Sequence, residues 1–321
     1  MCTAISHCGE RHLFGRTLDL ECSYGEQVVI TPRNFRLDYL HEAAMPTHAA
    51  MIGVACVAAG RPLYYDAINE AGLAMAGLNF PAYARYHAPA AGAYNVASFE
   101  LIPWVLGQCR TREEALALLR HTNITTDCAS DALPATPLHW MVADRSGASV
   151  VESVETGTMI YENPFGVLTN SPPFLYHLTH LTDYMQLGAA PAQNRLCPSA
   201  TLRAYSRGMG AMGLPGDGSS ASRFVRAVFA ENHTTTVQGE EISRFFHVMD
   251  AISVPRGCIR TDEGKEVLTL YTSCADTATG QYYFTTYGCR RIRGVSLDGA
   301  REGGALSCIS MQGEEDISWV K

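Results

Sequence analysis

The stretch Met1-Cys2-Thr3-Ala4-Ile5-Ser6 combines a partly apolar run with a cysteine one residue from the start of the chain. Because the side chain of Cys2 is small, methionine aminopeptidase is expected to remove Met1. Cys2 would then carry a thiol and a free α-amine, which are a nucleophile and a base in one residue. The stretch therefore predicts a nucleophile with its own base, although a cysteine at position 2 considered alone usually has no function.

A second partly apolar run, residues 12–20, follows after Cys8-Gly9-Glu10-Arg11. A glycine between two such runs is typical of a hairpin turn. The hairpin would place the amino terminus beside the strand that carries Arg16 and Asp19. Each of these two polar residues, considered alone, is also explained as an ordinary strand-end residue.

The composition is typical of a globular protein. The 321 residues are 47% hydrophobic and 17% charged, with a net charge of −8. Nucleic-acid binding favours clustered lysine and arginine, so no nucleic-acid partner is expected, and an anionic ligand would need local arginines. No apolar stretch reaches 18 residues, so no membrane-spanning helix is expected.

Eleven cysteines are spread along the chain without a C-x-x-C pair. An odd number at irregular spacing is typical of free thiols in a reducing compartment, not of a disulfide framework or a zinc site. The sequence does not open with a basic segment followed by an apolar run of signal-peptide length. A cytoplasmic location is therefore expected.

Strand-like and helix-like runs follow one another in blocks that predict an α+β fold. The predicted strands are residues 3–6, 12–20, 28–31, 51–57, 73–78, 138–143, 149–154, 158–161, 166–169, 267–273 and 281–287. The predicted helices are residues 98–106, 111–121, 174–187, 222–230 and 240–252. Pro103 is expected to bend or shorten the first helix, and Thr111-Arg112-Glu113-Glu114 is a capping box for the second. Closely spaced turn signals indicate antiparallel sheets with helices outside, and the absence of a linker predicts one domain over residues 1–321.

Two further motifs lead to no functional prediction. Gly208-Met209-Gly210-Ala211-Met212-Gly213 has the spacing of a dinucleotide-binding loop, but a poor strand precedes it and no helix follows. His177 and His180 stand three residues apart on a predicted helix, but no H-E-x-x-H motif or cysteine pair completes a metal site. Both histidines are interpreted as surface or packing residues, and neither a cofactor nor a metal is expected.

Asn79, Asn170 and Arg223 also stand at the ends of apolar or small-residue runs. Asn170 ends Val167-Leu168-Thr169, and Arg223 follows Gly218-Ser219-Ser220-Ala221-Ser222. Asparagine favours turns and serine favours helix starts, so each residue alone is explained as a turn or cap residue.

Taken together, these residues lie in blocks that resemble the choloylglycine hydrolases, the family of bile salt hydrolases and penicillin V acylases in the N-terminal-nucleophile hydrolase superfamily. The matching blocks are Met1-Cys2-Thr3, Phe14-Gly15-Arg16-Thr17-Leu18-Asp19, Gly77-Leu78-Asn79-Phe80-Pro81, Leu138-His139-Trp140-Met141, Gly166-Val167-Leu168-Thr169-Asn170-Ser171-Pro172, Gly213-Leu214-Pro215-Gly216-Asp217 and Ser222-Arg223-Phe224. The resemblance runs from Cys2 to about Tyr287. It implies a four-layer αββα sandwich of two antiparallel sheets with helices outside, which agrees with the order of the predicted elements.

The resemblance also implies a catalytic role for three residues near the amino terminus. Cys2 would be the nucleophile and its α-amine the base. Asp19 would hold that amine, and Arg16 would favour the thiolate through its opposite charge.

The remaining polar residues would surround the reacting carbonyl. The backbone N–H of Asn79 and the side-chain amide of Asn170 would form an oxyanion hole, and Arg223 would complete the polar surroundings of the nucleophile. The implied reaction is hydrolysis of the amide that joins a bile acid to glycine or taurine, without a cofactor. Relatives are commonly homotetramers, so the resemblance implies a homotetramer as well.

The resemblance leaves two alternatives to a bile salt hydrolase. One is a penicillin V acylase, although those enzymes typically have tyrosine where this chain has Asn79. The other is a catalytically silent protein that binds amphipathic anions.

The family also implies where a bile salt would bind. By position, the steroid body would lie against Leu18, Ala58, Tyr65, Ala129 and Leu133. Arg207 belongs to Tyr205-Ser206-Arg207-Gly208, a loop that varies with amino-acid preference among relatives. The Ser-Arg pair looks like the taurine-preferring type, in which Arg207 could attract a sulfonate or could instead be solvated.

Overall fold

A computed structural model describes residues 1–131, 133–298, 301–302 and 304–320. The strands are β1 Cys2–Cys8, β2 His12–Leu20, β3 Gln27–Thr31, β4 Met51–Ala58, β5 Arg61–Asn69, β6 Ala74–Asn79, β7 Tyr94–Ala97, β8 Thr122–Thr125, β9 Leu138–Asp144, β10 Gly147–Val154, β11 Gly157–Asn163, β12 Val167–Leu168, β13 Ile259–Arg260, β14 Glu266–Asp276, β15 Gln281–Thr286, β16 Cys289–Ser296 and β17 Ser307–Ser310. The helices are α1 Leu101–Gln108, α2 Arg112–Leu119, α3 Phe174–Leu181, α4 Ser220–His233 and α5 Glu241–Asp250, with short 3-10 turns at Thr182–Tyr184 and Met209–Ala211.

Two large sheets contain most of the strands. The first has the order β12-β1-β2-β14-β15-β16, with β13 paired to β14, and the second has the order β11-β10-β9-β6-β5-β4-β3-β17. The pairs in both sheets are antiparallel, which confirms the predicted α+β class. β7 and β8 form a separate parallel pair that the sequence pattern did not indicate.

The two sheets pack face to face, with helices on both outer sides. Phe174, Phe224 and Phe245 of α3, α4 and α5 belong to the apolar core that surrounds the first sheet and also contains inward residues of the second sheet. A separate core joins the outer face of the second sheet to α1 and α2. Burial of each large apolar side chain contributes about 1.5–3 kcal/mol. The layers therefore have the predicted αββα order.

The helix boundaries follow local chemistry. α2 begins at the predicted capping box, where the Thr111 side chain accepts a hydrogen bond from the Glu114 N–H over 3.2 Å. α1 begins only at Leu101, so Pro103 falls in the first turn, where its missing N–H has no intrahelical partner to lose. α3 ends at Leu181 and continues as a 3-10 turn, which makes it shorter than predicted.

β5 is the most important strand that the sequence pattern did not predict. It contains Pro62, a residue that normally ends a strand. β5 pairs with β4 over its whole length, from Arg61 to Asn69, whereas its pairing with β6 covers only Asp66 to Ile68. Pro62 is therefore tolerated, because that part of β5 has a strand partner on one side only.

The described part of the chain contains no helix long and apolar enough to cross a membrane. The G-x-G-x-x-G segment forms the short 3-10 turn at Met209–Ala211 and is not preceded by a strand, as the sequence predicted. All eleven cysteines are free.

Candidate active site

Cys2 is the first residue of β1 and lies directly opposite Leu18 of β2. Its side chain is 2% exposed and belongs to the core between the sheets. Because residues alternate between the faces of a strand, Cys2, Arg16 and Leu18 share the face that is turned to the second sheet. Asp19 is on the opposite face of β2.

Asn170 and Arg223 hold the backbone of Cys2. The backbone N–H of Cys2 donates to Asn170 Oδ1 over 2.8 Å. Arg223 donates from Nη1 to the Cys2 carbonyl oxygen over 2.5 Å and to Thr3 Oγ1 over 2.6 Å, and from Nη2 to Asn170 Oδ1 over 2.6 Å. Arg223 is fully buried, and this burial lowers the pKa of its guanidinium. The helix α4, capped by Ser219, carries Arg223 in its first turn.

Arg16 occupies the gap that opens between β5 and β6. The two strands pair only as far as Asp66 and Ala76, and beyond that point Arg16 Nη1 donates to the carbonyl oxygens of Tyr65, over 3.0 Å, and Gly77, over 2.5 Å. The guanidinium therefore takes the place of the hydrogen bonds that β5 and β6 do not make with each other here. It also keeps the two strands apart beside Cys2.

The surroundings of Arg16 keep its guanidinium charged. Burial by itself would lower the pKa of this guanidinium, but attraction to Cys2, Tyr271 and Asp66 raises it above its ordinary value. Its Nη2 is buried without a hydrogen-bond partner among the described residues. Arg16 thus presents a fixed positive charge and a free donor next to the thiol.

The backbone of Asn79 is turned toward the same region. The N–H of Phe80 donates to the carbonyl of Pro137 over 2.8 Å. In an antiparallel pair, every second residue of a strand hydrogen-bonds to the neighbouring strand. The N–H and carbonyl groups of Gly77 and Asn79, which alternate with those that bond to β9, therefore point away from β9. The Asn79 carbonyl oxygen accepts a hydrogen bond from Asn170 Nδ2 over 2.8 Å. The Asn79 N–H lies on the same side of the strand as this carbonyl, and Asn170 Nδ2 keeps a second hydrogen for another acceptor.

Asp19 is held by two threonine hydroxyls. Thr269 donates to Asp19 Oδ1 over 2.7 Å, and Thr17 donates to Oδ2 over 3.1 Å. Its backbone N–H donates to the Met1 carbonyl oxygen over 2.9 Å. With Met1 in place, the nitrogen of Cys2 is an amide that donates to Asn170, and the ammonium at Asp19 is that of Met1, which donates to the Asp19 carbonyl oxygen over 2.5 Å.

A cavity of about 290 Å³ opens beside the thiol. Of the predicted substrate residues, Leu18, Tyr65, Ala129 and Leu133 line it, whereas Ala58 and Arg207 are not among the described residues that do. The catalytic candidates Cys2, Arg16 and Asn79 also line it. The rest of the lining is Leu20, Tyr24, Cys56, Leu63, Tyr64, Gly77, Ser98, Phe99, Pro134, Thr136, Leu138 and Trp140.

Several of these residues were not predicted from the sequence. Leu20 and Trp140 lie in or next to blocks that carry the family resemblance, so the blocks could have indicated them. Cys56 lies in a predicted strand, Phe99 in a predicted helix and Tyr24 in neither, and only the folding of these three separate segments brings them to the cavity. In the described part of the chain, no group of three or more His, Cys, Asp or Glu side chains could hold a metal ion.

The candidate site thus consists of Cys2, two buried arginines (Arg16 and Arg223) and two asparagines (Asn79 and Asn170). Residues 2–302 match the family described as linear amide C–N hydrolases, choloylglycine hydrolase family. The chain belongs to the choloylglycine hydrolase family. It is therefore a C–N hydrolase of linear amides, as the resemblance implied.

Relatives of this family member include proteins named for bile acid substrates. The chain is 44% identical over 300 residues to the bile salt hydrolase/transferase of Lactiplantibacillus plantarum, with 93% of each chain covered. Its structure resembles that of the C2A variant of the conjugated bile acid hydrolase from Clostridium perfringens, with a TM-score of 0.92, 31% identity and 100% of both chains covered. The penicillin V acylase of Agrobacterium tumefaciens shares the fold, with a TM-score of 0.76, 21% identity and coverage of 98% and 93%.

Proposed function

We propose that this choloylglycine hydrolase, after removal of Met1, hydrolyses the amide bond between a bile acid and glycine or taurine. The observation that carries the proposal is the position of Cys2 in the lining of an apolar cavity, with its nitrogen and carbonyl held by Asn170 and Arg223. The substrates named for the relatives support the same class of amide. Conjugated bile salts combine an apolar body with an anionic end, which suits a cavity that ends at a guanidinium.

The first step generates the nucleophile. The free α-amine of Cys2 takes the proton of the thiol, and the positive charge of Arg16 favours the resulting thiolate. Asn170 Oδ1, which accepts from this nitrogen, keeps the amine in position. Asp19, on the far face of β2, balances the charge of the ammonium.

The second step forms a tetrahedral intermediate. The thiolate of Cys2 attacks the amide carbon, and the carbonyl electrons move to oxygen. The N–H of Asn79 and the free hydrogen of Asn170 Nδ2 stabilise that oxyanion, and a donor of this kind contributes about 3–4 kcal/mol. The ammonium then gives its proton to the departing nitrogen, which leaves as glycine or taurine.

The last step releases the bile acid from the thioester. The amine, again neutral, removes a proton from water, and the hydroxide attacks the thioester carbon. Collapse of the second tetrahedral intermediate returns the thiolate, which recovers its proton from the ammonium. The balance is one water consumed and one amide converted to an acid and an amine.

Substitution of the nucleophile tests the proposal. Cys2→Ala and Cys2→Ser are expected to lose hydrolysis of glycocholate and taurocholate by about 10³-fold or more while keeping the fold. Normal rates in either variant would exclude the assignment. A higher specificity constant for penicillin V than for taurocholate would instead favour the acylase alternative.

Removal of Met1 is a separate, measurable condition. A chain that keeps Met1 has an amide nitrogen at Cys2, which cannot act as the base. Intact-mass measurement distinguishes the two forms, and the active fraction is expected to equal the fraction without Met1. If protein without Met1 bound bile salts but did not hydrolyse them, the silent-binder alternative would be correct.

We further propose that the protein works in the cytoplasm as a single-domain homotetramer. The free cysteines fit a reducing compartment. Exposed apolar residues between α3 and α4, such as Met185, Leu196 and Tyr205, suit burial against another copy of the chain. Sedimentation measurements at several concentrations would show whether a tetramer forms.

A further inference from the structure

The main chain at Thr169 and Asn170 is held by three side chains outside the cavity lining. His139 Nε2 lies 3.0 Å from the carbonyl oxygen of Thr169, and His177 Nε2 lies 2.9 Å from the carbonyl oxygen of Asn170. The hydroxyl of Ser220 accepts a hydrogen bond from the Asn170 N–H over 2.9 Å. We call His139, His177 and Ser220 the Asn170 clamp.

The hydrogen bonds assign the protons of the two imidazoles. A carbonyl oxygen can only accept, so Nε2 of His139 and of His177 must each carry a hydrogen. His177 Nδ1 has no partner among the described residues, and burial lowers the pKa of His177 to about 4, so its neutral form is the donor. His139 Nδ1 lies 3.2 Å from Glu152 Oε1, which also accepts a hydrogen bond from the Phe174 N–H over 2.9 Å.

The clamp is itself fixed by packing against residues that neighbour the candidate catalytic groups. His139 stacks on Phe80, with 4.4 Å between ring centres and 6° between planes, and Phe80 directly follows Asn79. His177 stacks on Phe224, at 4.8 Å and 18°, and Phe224 directly follows Arg223. Each imidazole therefore ties the backbone near Asn170 to a strand or helix that carries another part of the site.

Asn170 needs this support because its side chain has three simultaneous contacts. Its Oδ1 accepts from the nitrogen of Cys2 and from Arg223, and its Nδ2 donates to the Asn79 carbonyl. A small rotation of the main chain would break all three. Groups of this kind must be held within about 0.5 Å of the productive geometry.

We propose that His139, His177 and Ser220 are positioning residues for the amide hydrolysis, acting only through Asn170. The inference rests on the proposed function. It predicts that loss of one clamp contact slows the chemical step while substrate binding, which depends on the cavity, changes little.

The first experiment compares single variants by their kcat and KM for taurocholate. His177→Phe, which keeps an aromatic ring but removes the donor, and Ser220→Ala are each expected to lower kcat about tenfold or more with KM within about twofold. His177→Gln keeps an N–H donor of similar reach and is expected to restore kcat to within about threefold. His12→Phe is the matched control.

His12 suits this control because it resembles His177 in burial and in the direction of its pKa shift but makes no contact with Asn170. It is equally buried, burial also lowers its pKa to about 4, and it bonds to Ser6 and Thr277 over 2.9 Å at the far end of the β1–β2 hairpin. His12→Phe is expected to lower the melting temperature and leave kcat unchanged. Loss of kcat in His12→Phe equal to that in His177→Phe would show a general effect of buried histidines and overturn the proposal.

The second experiment is a double-mutant cycle with Asn170→Ala. If the clamp acts only through Asn170, His177→Phe and Ser220→Ala will have no further effect on kcat in the Asn170→Ala background. Multiplicative losses would overturn the proposal, as would normal kcat in both single variants. Ser220→Ala removes one oxygen from a partly exposed residue, so it decides the question even if His177→Phe does not fold. Normal kcat in Asn170→Ala would also overturn the clamp, because the clamp acts only through Asn170, whereas normal rates in Cys2→Ala would refute the proposed function itself.

Discussion

Arg16 Nη1 donates a hydrogen bond of 2.5 Å to the carbonyl oxygen of Gly77 at the point where β5 and β6 separate. A charged side chain of the first sheet thus completes the hydrogen bonding of the second. The same guanidinium lines the cavity beside Cys2. One residue therefore completes the hydrogen bonding of the sheet and lines the candidate active site.

Replacement of Arg16 tests this double role. Arg16→Lys keeps the charge, but an ammonium lacks the planar fork that reaches Thr17, Tyr65 and Gly77 together. We expect kcat/KM to fall about 100-fold and the free energy of unfolding to fall by about 2–4 kcal/mol. Arg11→Lys, at an exposed arginine paired with Asp276, is the control and should change stability by less than about 0.5 kcal/mol. An Arg16→Lys variant that loses activity but no stability would refute the structural half of the role.

Gly15 is required where β2 runs beside its neighbour β14 in the first sheet. A Cβ at this position would lie 2.0 Å from the backbone oxygen of Ser273, which no side-chain movement can relieve. Gly15→Ala should therefore cost about 3 kcal/mol or more of stability, measured by urea denaturation. Gly216→Ala, where nothing lies within 4 Å of the added atom, is expected to be neutral. Equal stability of the two variants would contradict the close approach of the strands.

Two buried histidines make stability depend on pH. Burial lowers the pKa of His12 and of His177 from 6.5 to about 4. Between these values the unfolded chain binds more protons than the folded chain, so stability falls as the pH is lowered from about 6.5 toward 4. Each histidine is expected to contribute on the order of 2–3 kcal/mol to this loss.

The measurement is the free energy of unfolding at pH 7 and pH 4.5, in the parent chain and in His12→Phe. The difference between the two pH values should be smaller in His12→Phe, because one proton-binding group of the unfolded chain is gone. Exposed His121 provides a control, since His121→Phe should leave the difference unchanged. The same pH dependence in all three proteins would show that other groups cause the acid instability.

Larger side chains at Ala129, inside the cavity, and at Ala58, outside it, would show which of these two predicted residues contacts the substrate. Ala129 lines the cavity, where its N–H bonds to the Leu133 carbonyl over 3.1 Å, whereas Ala58 lies at the end of β4 away from the lining. Ala129→Phe should raise KM for conjugated bile salts about tenfold or more with little change in kcat. Ala58→Phe should leave KM unchanged. The opposite order would mean that the steroid lies against Ala58.

Much of the fold followed from local patterns. The β1–β2 hairpin, the capping box of α2, the meander from β9 to β11 and the β14–β15 hairpin were predicted because alternation, caps and turns are encoded in neighbouring residues. β5 was not, because Pro62 is compatible with a strand only where one neighbour is missing. That condition depends on where β6 diverges, which no local pattern records.

The candidate site shows the same division. The blocks around Cys2, Arg16, Asn79, Asn170 and Arg223 named its members, since family blocks keep residue types in order. His177 was interpreted as a surface or packing residue, and it is a packing residue that stacks on Phe224; its hydrogen bond to the Asn170 carbonyl was not predicted. A helix pattern shows which residues share a face but not which backbone atom that face meets.

Residue order alone was sufficient to single out Cys2 as a residue that could become both nucleophile and base, and to place Asp19 and Arg16 on a neighbouring strand. Tertiary packing turned the face with Cys2 and Arg16 toward the second sheet, brought the Asn170 amide to the nitrogen of Cys2 over 2.8 Å, and opened the cavity beside β5 and β6. The reason is physical. Alternation and turn chemistry act between neighbours along the chain, whereas buried hydrogen bonds join residues 168 positions apart only after both sheets have packed.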